Sequence, residues 1–133
     1  VPCDVGNRFP DIETAEAQGT YIDQFDAITF NEGFAHLVSY NQQEINTVAW
    51  YGDKLKNVYN ISVAKMKAAL QEKDPQKQEH NVYEANNGNY YEKYAAMCGM
   101  IYLGQQWQSG AISRLKELFD LGYYGFAVKS AGL

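Results

Sequence analysis

The sequence predicts an all-α fold: an irregular bundle of four to five helices behind a mostly irregular N-terminal segment. Three observations predict it. Apolar residues recur every three or four positions through most of the chain, no stretch alternates convincingly with a period of two, and breakers leave only short connections. With 133 residues the chain has the length of one domain, 1–133, enough to bury a real core. Its 46% hydrophobic content is that of a globular protein, not a disordered one.

Through about Gln18 no period is sustained, and Gly6 and Pro10 interrupt the chain; Asp11 to Ala17 reads at most as a short, weak helix. From Asp23 to near Asn41 the spacing of Phe25, Ile28, Phe34, Leu37 and Val38 predicts the first firm helix. Gln43 to Lys56 reads as a second, with Ile45, Val48, Ala49 and Leu55 inward and Gly52 weakening it. Asn60 and Ser62 offer N-caps for a third, Val63 to Glu72, striped by Val63, Met66 and Leu70. Asp74-Pro75 reads as its stop, because a residue before proline is pushed out of the helical region. Gln76 to Asn89, polar and holding Asn86-Asn87-Gly88-Asn89, is predicted as a loop. Tyr90 to Gln108 is the longest predicted helix, its glycines Gly99 and Gly104 suited to close packing. Gly110 separates it from Ala111 to Leu121, striped by Ile112, Leu115, Leu118 and Phe119 and ended by Gly122. The tail Tyr123-Tyr124-Gly125-Phe126 is aromatic enough to dock on the bundle.

Charge excludes whole classes of function. A net charge of −5 is the wrong sign for a phosphate backbone or an anionic membrane surface. No apolar run is long enough to cross a bilayer. Val1-Pro2-Cys3-Asp4 is not a signal peptide, which leaves open a processed product, secreted or periplasmic, and a piece of a longer protein. Cys3 and Cys98 have no metal-site spacing; Cys98, in an apolar run, is expected to be a buried thiol, with a bridge to Cys3 left open. Asn60-Ile61-Ser62 is a glycosylation sequon, meaningful only in a secreted eukaryotic protein.

Chemistry concentrates in Asn31-Glu32-Gly33-Phe34-Ala35-His36. A glutamate and a histidine four residues apart share one helix face. Such a pair can ligate a metal, form a buried hydrogen-bonded couple or face water. A zinc shell needs further donors, and the chain offers the other histidine, His80, with carboxylates such as Asp26 and Glu84. No serine lies in a nucleophile elbow, and Lys54, Lys56, Lys65 and Lys67 read as solvated faces.

The string Phe30-Asn31-Glu32-Gly33-Phe34-Ala35 resembles the NEG-containing segment of gluzincin zinc peptidases, the peptidase-MA-like families. The stretch Tyr91 to Tyr102, then Gly110 and Leu115 to Phe119, is similar to the helical region that follows it in that family. The resemblance spans Asp26 to Asp120, and its sharp part is five or six residues. It implies a zinc cofactor, a peptide or protein substrate, Glu32 as the third zinc ligand and His36 as its partner on the same helix face. It also implies a tyrosine stabilising the oxyanion of the tetrahedral intermediate, for which Tyr83, Tyr90 and Tyr91 are the candidates. The same tyrosines also read as amphipathic packing residues, the commoner role of aromatics at helical spacing.

One departure limits this reading. No HExxH occurs in the 133 residues, and that motif supplies two imidazole ligands and the general base. The resemblance therefore implies either the C-terminal helical part of a larger metallopeptidase, inactive alone, or a relative without the active centre. The alternative is a non-enzymatic helical bundle that binds a protein partner through a tyrosine-rich surface, or a small ligand between Tyr90, Tyr94, Met97 and Trp107.

Overall fold

The computed structural model describes residues 19–40 and 44–133; the expected Asp11–Ala17 helix and any partner role of Cys3 lie outside them. Five α-helices and no strand are present among the described residues. They are α1 (Tyr21–Ser39), α2 (Asp53–Leu70), α3 (Pro75–Ala85), α4 (Tyr94–Leu121) and α5 (Phe126–Ser130), with single 3-10 turns at Ile45–Thr47 and Tyr90–Glu92. The all-α expectation holds.

α1 is the central helix, packed on α4 along its length and touched by α5 and α3. Thr20 caps it, its hydroxyl accepting from the Asp23 amide, and Asp23 places a negative charge in the first turn. Because several elements cover it, its buried set is broad: Phe25, Asp26, Ala27, Ile28, Thr29, Phe30, Gly33 and Leu37. Val38, expected inward, is 81% exposed. One position on from Leu37 is about 100° around the helix, which carries it off the packed face.

The approach of α1 to α4 is set by glycine. A Cβ on Gly33 would lie 2.8 Å from the Gly99 main chain, and one on Gly99 would overlap the Thr29 carbonyl. The two backbones thus meet where neither carries a side chain. Gly104 serves differently: its open face receives the Trp50 indole, which is fully buried.

That indole overturns the helix expected over Gln43–Lys56. Trp50 turns into the core, its Nε1 donating to the Ile45 carbonyl at 2.9 Å, and from Glu44, since Gln43 lies outside the described residues, the segment holds only the 3-10 turn before Gly52 caps α2. Val48 and Leu55 are buried as expected, whereas Ala49 is exposed. α2 also runs straight through Asn60 and Ser62 instead of starting there. Its buried face is Leu55, Ser62, Met66 and Ala69, so Ser62 is a small inward residue rather than a cap.

Asp74-Pro75 starts a helix rather than stopping one. α2 has already ended at Leu70; the Asp74 carboxylate accepts from the Lys77 amide at 3.3 Å and Pro75 occupies the first turn of α3. Proline is favoured there because the missing N–H is one a helix leaves unpaired anyway. The predicted loop Gln76–Asn89 is thus mostly helix. Its polar sequence hides it: Ala85 alone is fully buried, and polar bonds secure the rest, with Tyr94 Oη donating to the Asn81 carbonyl at 2.6 Å.

α4 merges the last two predicted helices across a kink at Ala111, whose φ of 54° is left-handed, one residue beyond the expected break at Gly110. The kink turns Ile112 outward, 61% exposed, while Leu115 and Leu118 stay buried. The tail docks as expected. Phe126 is buried edge-on against Phe30 and Tyr102, and Asp26 of α1 accepts from the amides of Gly125 and Ala127 at 3.0 and 2.9 Å. A side chain a hundred residues away in sequence thereby satisfies the first amides of α5.

Candidate functional site

The C-terminal half of α1 sends out Glu32 and His36, and the C-cap residue Tyr40 follows, at successive four-residue steps. Each step rotates about 40° around the helix, so the ladder climbs from the partly exposed edge into the core. Glu32 and His36 side chains are 25% and 14% exposed; Tyr40 is buried. His36 Nδ1 lies 2.7 Å from the Glu32 carbonyl and 3.5 Å from its carboxylate. A carbonyl only accepts, so Nδ1 carries the proton, and in the neutral ring Nε2 keeps the lone pair.

The turn Tyr90–Glu92 closes over this ladder. The Tyr90 ring lies 5.3 Å from the His36 ring and 5.1 Å, edge-on, from Tyr91. Tyr40 and Tyr91 share a hydrogen bond between hydroxyls at 2.9 Å, and Lys54 Nζ sits 4.4 Å from the centre of the Tyr91 ring. These contacts split the two phenols. Tyr40 is pushed well above the usual tyrosine range, by burial first and then by the bond to Tyr91. Burial pushes Tyr91 up too, but the Tyr40 bond and Lys54 outweigh it and bring it down. Tyr91 is therefore the more acidic partner of the pair. Tyr90 is raised, by burial and then by Tyr91.

Four of the five candidate residues, Glu32, His36, Tyr90 and Tyr91, thus gather on one edge. Tyr83 does not join them: it lies 65% exposed on α3. The other donors are occupied elsewhere. His80 pairs with Glu84 one turn along α3, and Asp26 caps α5. No group of three or more His, Cys, Asp or Glu side chains able to hold a metal occurs among the described residues. Cys98 is a free, fully buried thiol whose pKa burial drives far up.

Two participants escaped the sequence reading. Tyr40 continues the four-residue spacing of Glu32 and His36, a signal that was there to be used. Lys54, expected on a solvated face, leaves no such trace; only the fold brings α2 to Tyr91. Among the described residues, Tyr90, Tyr94, Met97 and Trp107 line none of the described cavities together. Tyr94 and Met97 are buried, and Trp107 lines a separate apolar groove of ≈ 590 Å³ with Leu37, Val38, Ile45, Ile112 and Leu115. That groove lies on the other flank of α1, since Val38 is about 200° around from His36.

Fold and site together define an all-α domain with a carboxylate–imidazole–tyrosine edge. No protein-family model, curated protein or solved structure matches the chain.

Proposed function

We propose that this chain is the helical part of a gluzincin-like zinc peptidase, contributing Glu32 as one metal ligand to a site completed by an HExxH segment. The observation that carries the reading is the contact of His36 with both Glu32 and Tyr90 at a partly exposed edge. Glu32 fits one place in a zinc shell: its carboxylate emerges beside a histidine and has no lysine or arginine partner among the described residues. The remaining ligands would come from elsewhere, because this edge offers two donors at most among the described residues. A zinc ion there would supply Lewis-acid polarisation of water or a carbonyl. His36 would hold the carboxylate's orientation. Tyr91 would stand beside the site as a hydroxyl donor, steered by Tyr40 and Lys54, whereas the Tyr90 hydroxyl donates to the buried Met100 Sδ at 3.6 Å and would offer only its ring.

The test is made on the complete product of the reading frame. It is expected to contain an HExxH ahead of Val1, to bind zinc, and to hydrolyse peptides; Glu32→Gln should abolish zinc retention and hydrolysis while leaving the fold intact. A complete product without HExxH, or Glu32→Gln retaining metal and activity, overturns the reading. The apolar groove at Trp107 favours the second reading, a non-enzymatic bundle that binds a protein partner. In that case Trp107→Ala would abolish partner binding and Glu32→Gln would be silent.

A further inference from the structure

The turn from α3 to the tyrosine cluster holds the one Asn-Gly peptide in the sequence, Asn87-Gly88. Both residues are exposed. Gly88 has a φ of +95°, with nothing within 4 Å of where a Cβ would stand. Its N–H makes no hydrogen bond among the described residues. Asn87 uses its side chain as a cap, Nδ2 donating to the Tyr83 carbonyl at 2.6 Å and so satisfying one of the last carbonyls of α3.

We propose that Asn87 is a site of spontaneous deamidation that loosens the end of α3. Hydroxide removes the proton of the unbonded Gly88 amide, and that nitrogen attacks Cγ of Asn87. The new N–Cγ bond closes a succinimide as the Cγ–Nδ2 bond breaks and ammonia leaves. Water then opens the ring at either carbonyl, giving aspartate or isoaspartate, with no oxidant or metal required. Glycine is what permits the attack, since no side chain at residue 88 crowds the nitrogen. The neighbouring asparagines lack this freedom: Asn86 precedes Asn87, and Asn89 precedes Tyr90.

The product is the opposite of a cap. A carboxylate replaces the N–H donor and faces the Tyr83 carbonyl, and it adds negative charge at a helix C-terminus, where the dipole disfavours it. Isoaspartate also lengthens the main chain by one atom, three residues before Tyr90. This inference is independent of the zinc-peptidase reading.

The experiment holds the folded protein at mildly alkaline pH and follows residue 87 by peptide mapping with isoaspartate detection, beside the denatured chain and Asn87→Gln. The folded protein is expected to convert at Asn87, with conversion lost in Asn87→Gln. An amide that persists in the folded protein, whether or not the denatured chain converts, overturns the proposal. Asn87→Asp should speed hydrogen exchange at the last amides of α3; unchanged exchange overturns the loosening.

Discussion

Helix α1 carries two carboxylates that meet opposite fates. Asp26 is 3% exposed, and both its oxygens accept main-chain amides from the C-terminal segment. Glu32, nearly two turns on, is 25% exposed and among the described residues pairs only with His36. The deeply buried group is fully used by the fold, while the shallower one has capacity to spare. A carboxylate's burial is therefore a poor guide to chemistry here; what matters is whether its lone pairs are already spoken for.

The largest expected effect breaks the structural half of this comparison. Asp26→Ala removes both acceptors and strands the Gly125 and Ala127 amides beneath Phe126, at a cost of about 3 kcal/mol. Asp26→Asn conserves volume but turns one acceptor into a donor facing an N–H, at a cost of about 2 kcal/mol. Urea midpoints measure both, and hydrogen exchange should show α5 opening first. Wild-type stability in either variant would mean that α5 needs no distant cap.

How much of this was legible follows from where each signal lay. Periodic apolar residues revealed α1 and both arms of α4, because burial of a stripe is written in spacing, and aromatic content revealed the docking of the tail. Boundaries failed where one residue type serves two roles. Asp74-Pro75 stops one helix or starts another with the same chemistry, and Ser62 caps or fills according to what packs on it. Glu32, His36, Tyr90 and Tyr91 were identifiable as residues, yet their meeting depends on a turn whose course no local pattern fixes. Lys54 reaches the site through tertiary packing alone.

A second prediction concerns pH. Burial raises the Asp26 carboxyl above its ordinary 3.8, although its two amide bonds pull the other way. The folded state thus holds this proton more tightly than the unfolded chain. Asp26's contribution is fully present below 3.8 and is lost as pH rises through the folded-state value. Urea midpoints for wild type should fall across that acid window relative to Asp26→Asn, which has nothing to titrate there. A difference that grows with pH instead would show that the amide bonds outweigh burial.

The smallest expected effect is on the other carboxylate, and its smallness is the point. Glu32→Gln keeps the side chain's volume and its acceptor oxygen. His36 Nδ1 keeps its closer partner, the Glu32 carbonyl at 2.7 Å, which is main chain and survives the substitution. The pair is also partly solvated, where an ion pair contributes little. Stability should change by less than about 0.5 kcal/mol. A loss near that of Asp26→Asn would make Glu32 a second structural carboxylate and remove its freedom to serve a metal. A silent outcome in the urea midpoint leaves a charged group on the central helix that folding does not require, and any effect of Glu32→Gln on zinc retention or hydrolysis is then chemical rather than structural.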